Sequence, residues 1–309
     1  MTSFPTIARI FEVGARDGLQ NEKEQIPTNI KLELIDRLVD AGVTALEAGA
    51  FVSPKWVPQM ADTKDIMEKL SRKEAVSYAV LTPNMKGFDG AVAGNADEIL
   101  LFTAASEQFN QKNINCSIDE SFERFAPVVD AAKAANMPFR VSVSCSLGSP
   151  FGEEITPAQV ASVAKRAYAL GAYEISIADT IGVGTPVLTR QVLEAVANEI
   201  PVDAISVHLH DTYGQALANI LAALELGINK IDSSVAGLGG CPYAPGATGN
   251  VATEDVLYML EGMGIDTGID LEKMVRTAWF ISGFLGRPPV SSVAKALKNK
   301  FNIDDSTSC

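Results

Sequence analysis

Pro157-Ala-Gln-Val-Ala-Ser-Val-Ala-Lys-Arg-Ala-Tyr-Ala-Leu-Gly-Ala-Tyr-Glu-Ile-Ser-Ile-Ala178 decides the fold. Val160, Val163 and Ala167 recur at helical spacing, so residues 157–169 read as an amphipathic helix. Gly171 stands where a left-handed C-terminal cap is wanted, and residues 174–178 follow as a short apolar strand. The unit repeats outward from there. Ala41-Gly42, Gly94-Asn95, Ala135-Asn136 and Leu226-Gly227 carry the same punctuation, and residues 30–40, with Leu34, Ile35 and Leu38 on one face, predict another crossover helix. Strands are expected at 7–14, 45–50, 76–81, 98–103, 139–144, 174–178, 204–210 and 230–236. Eight strands alternating with helices predict an α/β fold, a closed (β/α)8 TIM barrel. A doubly wound sheet fits less well, because the first strand ends Gly14-Ala-Arg-Asp-Gly18 and lacks the G-x-G-x-x-G turn. Beyond residue 250 the signals are helical only. The expectation is one catalytic domain over 1–309, with the barrel at about 5–250 and a C-terminal helical extension at about 251–309 covering it.

Composition agrees with this. Of 309 residues, 47% are hydrophobic and 20% charged, which excludes disorder, and no uncharged apolar run approaches the roughly 20 residues of a membrane span. With 38 acidic against 25 basic side chains the net charge is −13, a field that repels nucleic acid and anionic membranes. Met1 to Arg9 has neither a secretory nor a transit pattern, so a cytoplasmic location is expected. The four cysteines, Cys116, Cys145, Cys241 and Cys309, form neither a metal knuckle nor a disulfide framework, which suits a reducing compartment.

A barrel of this type places its chemistry at the C-terminal ends of the strands. There the chain carries Arg16-Asp17 after the first strand, Glu47 in the second, Asp179-Thr180 ending the sixth and His208-Leu-His-Asp211 ending the seventh. These are the only two histidines. Alternation along a strand turns both imidazoles to one face, where they can share a metal, although His-x-His alone also suits a hydrogen-bonded pair in the core. Asp17 can add a carboxylate across the closed barrel, and Asn250 an amide oxygen from Gly237-Leu-Gly-Gly-Cys241-Pro-Tyr-Ala-Pro-Gly-Ala-Thr-Gly-Asn250. One carboxylate, two imidazoles and an amide, without a thiolate, suit Mg2+ or Mn2+ better than zinc. An amidohydrolase-type zinc site would need further histidines.

The loop 237–250 is dense in glycine and proline, which points to close approach to a ligand or, more plainly, to a structural cover. Cys241 at its centre is a candidate proton donor, whereas Cys116 and Cys145 read as packing residues and Cys309 as part of a frayed end. Arg16 suits either a buried ion pair or the stabilisation of developing negative charge. Glu47 and Asp179 suit direct acid–base work or, equally, holding Arg16 or a histidine in place.

Three runs then stand together: Glu12-Val-Gly-Ala-Arg-Asp-Gly-Leu-Gln-Asn-Glu22, Phe51-Val-Ser-Pro-Lys-Trp-Val-Pro-Gln-Met60 and the loop 237–250. Over about residues 5–290 the chain resembles the 3-hydroxy-3-methylglutaryl-CoA lyases, of the metal-dependent lyase and Claisen-condensing barrels. The resemblance implies a divalent metal, Mg2+ or Mn2+, on Asp17, His208, His210 and Asn250. It also implies Arg16 at a developing enolate, Cys241 in proton transfer, and Glu47 and Asp179 as polar positions of the same site. The implied reaction is cleavage of 3-hydroxy-3-methylglutaryl-CoA to acetoacetate and acetyl-CoA, as in leucine degradation and ketone-body formation, with His208 a candidate base for the hydroxyl. The partner implied is a small-molecule acyl-CoA, with no nucleotide cofactor beyond its CoA moiety; the protein itself is expected as a homo-oligomer, a dimer or tetramer. Lys23, Lys55 and Arg287 suit counter-charges for CoA phosphates or simple surface charges. The chain departs from the family at Ala50, where serine is frequent, at Ser149-Pro-Phe151 in place of Cys-Pro-Tyr, and at Pro288, where a basic residue is common. These departures touch the acyl and CoA contacts more than the reaction type. Alternatives are a lyase for a longer or branched 3-hydroxy-3-alkylglutaryl-CoA and an acetyl-CoA-condensing synthase, against which the Cys241 loop argues. A non-catalytic CoA-binding barrel would be expected to have lost the metal set.

Overall fold

The computed structural model describes residues 4–240 and 249–303. Its elements run β1 (Arg9–Glu12), α1 (Thr28–Asp40), β2 (Ala45–Ala50), α2 (Thr63–Lys69), β3 (Ser77–Leu81), α3 (Met85–Ala93), β4 (Glu98–Ala104), α4 (Glu107–Ile114), α5 (Ile118–Ala134), β5 (Phe139–Ser144), α6 (Pro157–Ala169), β6 (Glu174–Asp179), α7 (Pro186–Ala197), β7 (Ile205–Leu209), α8 (Ala216–Glu225), β8 (Lys230–Ser233), α9 (Thr253–Gly262), α10 (Leu271–Phe284) and α11 (Ser292–Leu297). The eight strands are parallel and close into one barrel, with β1 paired to both β2 and β8. The helical periodicity of 157–169 becomes α6, opened by a capping box in which the Thr156 hydroxyl accepts from the Gln159 N–H. All five expected caps are left-handed: Gly42, Asn95, Asn136, Gly171 and Gly227 have φ between 52° and 107°.

Three strands are shorter than their apolar runs by two residues or more, because their ends bond elsewhere. Ile7 and Ala8 pair with Asp266, so β1 begins only at Arg9. His210 bridges to Asn250, and Ser234 to Ala252, so β7 stops at Leu209 and β8 at Ser233. After residue 250, α9 packs beside α8, while α10 packs on α1 and on the turn 235–237. The tail helices therefore lie between the last and the first helices around the barrel. No helix among the described residues is long and apolar enough to cross a membrane.

The barrel interior is not uniformly apolar. Arg140 on β5, fully buried, bonds Glu174 and Asp232 at 2.8 Å each and Ser206 at 3.0 Å, and its guanidinium lies 4.0 Å over the Phe11 ring. A buried charge survives only with such partners. Beside β1 two further carboxyls are fully buried. Glu12 accepts from the N–H groups of Gly14 (2.8 Å) and Val235 (2.9 Å) and from the Thr253 hydroxyl (2.5 Å). Glu254 accepts from the Ala236 N–H at 2.9 Å, while its second oxygen has no partner among the described residues.

Burial pushes Glu254 up to about 8. A carboxyl raised in this way favours the fold fully below its ordinary pKa of 4.5, and that stability is lost as pH rises through about 8. Glu254→Gln, which keeps an acceptor for Ala236 and cannot ionise, should raise Tm by several degrees at pH 9, and this gain should shrink towards nothing at pH 5. Equal shifts at both pH values in a thermal scan would contradict this.

Candidate active site

Three separate segments meet at the C-terminal mouth of the barrel. The first is the turn after β1, where the Gly18 N–H donates to the Val13 carbonyl five residues back at 3.1 Å, a wide π-type turn that carries Arg16 and Asp17. A Cβ at Gly18 would stand 2.8 Å from both Leu238 Cβ and Ser234 Oγ, so the turn can approach the post-β8 chain this closely only with glycine there. The second is the end of β7, with His208 and His210. The third is residues 249–252, which run against β7: the Asp211 N–H donates to the Gly249 carbonyl and the Val251 N–H to the Leu209 carbonyl, each at 3.0 Å. That pairing carries Asn250 to His210. The chain crosses itself at the base of the glycine-rich loop, where a Cβ on Gly249 would lie 2.2 Å from the carbonyl carbon of Gly239. Cys241, like Cys309, lies outside the described residues.

The ligand atoms of Asp17, His208 and His210 lie within 4.8 Å of one another. Asp17 Oδ2 is 4.0 Å from His208 Nε2 and accepts from Asn250 Nδ2 at 2.7 Å. Two metal–ligand bonds of about 2.1 Å span roughly that gap. His210 Nδ1 is buried without a hydrogen-bond partner among the described residues, and the two rings are tilted 46° with centroids 5.4 Å apart. The imidazoles are thus not a self-satisfied core pair, and the donor set fits a divalent cation. Electrostatics prepares the same site. Burial opposes ionisation of Asp17, but Arg16 and the histidines outweigh it and lower its pKa to about 2. Burial, reinforced by His208, lowers His210 to about 4, leaving it neutral for coordination. His208 is raised: burial works against its charge, but the bond to Asp232 and the Asp17 carboxylate prevail.

Arg16 is 8% exposed and spans two carboxylates, its Nη1 bonding Asp17 Oδ1 at 2.9 Å and its Nε ion-paired with Glu47. Glu47 therefore holds Arg16, one of the roles expected of it. Asp179 does not bond Arg16 or a histidine through its carboxylate. The N–H groups of Val183 (3.1 Å) and Gly184 (2.8 Å) occupy it, so its side chain shapes the turn after β6, and burial, partly offset by these donors, raises its pKa to about 6. Its backbone carbonyl accepts from the His210 N–H at 3.3 Å.

Lys23 and Lys55 are exposed, and exposed Arg287 is ion-paired with Glu22, which offsets part of the charge it can offer an anion. Ala50 is 1% exposed, its N–H and carbonyl both bonded by the Thr63 hydroxyl. Ser149 bonds Ser106 at 3.2 Å, and Phe151 lies 6.4 Å from the Phe109 ring. Cys116 and Cys145 are buried, as packing residues should be, though Cys145 adopts φ 58°. Sequence reasoning missed Gln20, which donates to Asp17 Oδ1 at 3.0 Å, and the pair Asp232 and Arg140. The overlooked signal was a full charge inside a barrel strand, Asp232 in Lys230-Ile-Asp-Ser233 and Arg140 in Phe139-Arg-Val-Ser142.

The HMGL-like family model matches residues 8–281. A rat relative, hydroxymethylglutaryl-CoA lyase, mitochondrial, is 56% identical over 96% of this chain and 91% of its own. The crystal structure of hydroxymethylglutaryl-CoA lyase from Pseudomonas aeruginosa superposes with a TM-score of 0.94 at 52% identity, covering 96% of this chain and 99% of that one. An HMG-CoA lyase from A. baumannii, solved with coenzyme A and 3-methylmalate, gives a TM-score of 0.91 at 37% identity, covering 96% and 97%.

Proposed function

The chain belongs to the HMGL-like family, and from that premise we propose that it cleaves 3-hydroxy-3-methylglutaryl-CoA to acetoacetate and acetyl-CoA. The observation that carries the reading is the meeting of Asp17, His208, His210 and Asn250 with Arg16 alongside. In this reaction the C3 hydroxyl loses its proton, C3 becomes a ketone, and the C2–C3 electron pair moves into the thioester as an enolate. Protonation of C2 then gives acetyl-CoA. Asp17, His208, His210 and Asn250 would hold Mg2+ or Mn2+, which would supply Lewis acidity for the C3 hydroxyl.

Arg16 offers the thioester oxygen a fixed positive charge, and Glu47 holds its guanidinium in place. The two roles read for His208, ligand and general base, compete for Nε2, because Nδ1 faces Asp232 at 3.4 Å. We assign it the ligand role, so the C3 hydroxyl proton leaves to solvent water. Cys241 remains the residue proposed to protonate C2. Lys23, Lys55 and Arg287 are proposed to meet the CoA phosphates, in keeping with the CoA bound to the A. baumannii structure. A cytoplasmic location and assembly into a dimer or tetramer belong to the same proposal.

The test is product analysis by 1H NMR with added Mg2+. Equimolar acetoacetate and acetyl-CoA should accumulate from 3-hydroxy-3-methylglutaryl-CoA, faster than products form from longer or branched 3-hydroxy-3-alkyl homologues. A homologue with the higher kcat/KM would move the substrate assignment to it, and no carbon–carbon cleavage of any member would overturn the reading.

A further inference from the structure

We propose that Asp232 is the positioning residue that fixes the tautomer and orientation of His208, so that Nε2 points at the metal site. The inference rests on the metal-site reading above and adds a residue to it. Asp232 sits on β8 directly beside His208 in the β7–β8 pairing, and it is 5% exposed. Its Oδ2 lies 3.4 Å from His208 Nδ1, on the opposite side of the ring from Nε2, which faces Asp17 Oδ2 at 4.0 Å. The carboxylate is itself fixed: Arg140 Nη2 donates to Oδ1 at 2.8 Å, and the Ser176 hydroxyl donates to Oδ2 at 2.9 Å. Strands β5, β6 and β8 thus brace one acceptor behind one imidazole. A carboxylate in that place keeps the proton on Nδ1 and the lone pair on Nε2, and it makes the ring a better donor to a cation. His210 differs, since its Nδ1 has no partner among the described residues. The bracing is therefore specific to one of the two imidazoles, and Arg140, buried too deep to meet substrate, serves it by holding Asp232.

Two measurements test this. The chain has only two histidines, so 15N-histidine labelling reports both imidazoles without mutation. In the Mg2+-loaded wild-type protein, His208 should carry its proton on Nδ1 and show ligand-shifted Nε2. Protonated Nε2 would overturn the proposal whether or not any variant folds. Calorimetric titration with Mn2+ provides the second test. Asp232→Asn should bind Mn2+ about 10- to 100-fold more weakly than wild type, the usual effect of removing such a partner. Unchanged affinity in a folded Asp232→Asn protein would remove the role from Asp232 while leaving the metal site standing. Wild-type protein that binds no Mn2+ would overturn the metal site, and this role with it.

Discussion

Exhaustive chelation should abolish turnover, and added Mg2+ or Mn2+ should restore it, the largest effect expected of any single treatment. Breaking the C2–C3 bond requires negative charge on a tertiary alkoxide oxygen and then on a thioester oxygen. The described residues at the mouth offer one fixed cation near Asp17, the Arg16 guanidinium, and it is already shared between Asp17 and Glu47. The alkoxide therefore needs a second positive centre, and the cluster of Asp17, His208 and His210 is built to hold one. Asp17→Ala and His208→Ala should lose Mn2+ affinity in calorimetry and lose turnover with it. Full activity in the metal-free protein would sink the proposal.

Arg16→Lys should fold and bind Mn2+ but turn over more slowly by at least about 10²- to 10³-fold, the cost of removing one preorganised donor from a developing oxyanion. An ammonium is a single point of charge. It cannot reproduce a planar fork whose Nε meets Glu47 while Nη1 meets Asp17 Oδ1 at 2.9 Å. Because Glu47 is 1% exposed, part of the loss will appear as lower stability, so Tm and kcat should be measured on the same preparation. Near-normal turnover in Arg16→Lys would show that the guanidinium only holds the turn after β1 together.

Much of this was legible in the chain because local rules governed it. Gly42, Asn95, Asn136, Gly171 and Gly227 announced their left-handed caps, and once eight strands were counted the barrel followed. His208 and His210 could be placed on one face by alternation alone. What the sequence hid was set by contacts between distant segments. Asn250 was a candidate from the glycine-rich loop, but no local pattern announces the antiparallel run of residues 249–252 along the end of β7 that places it. The partners of Asp179 were hidden too: its carboxylate takes the N–H groups of Val183 and Gly184 in the turn after β6, where Arg16 or a histidine was expected. Asp232 and Arg140 sat unnoticed in β8 and β5 because periodicity locates a buried position and says nothing of which charge pairs with which.

The most direct test of the account is an anomalous difference map from crystals of the wild-type protein grown with Mn2+. The prediction is one strong peak among Asp17 Oδ2, His208 Nε2, the His210 imidazole and the Asn250 side chain, with Arg16 beside it and Asp232 still behind His208. A peak elsewhere on the protein, or none at this cluster in crystals of protein that cleaves substrate, would contradict it.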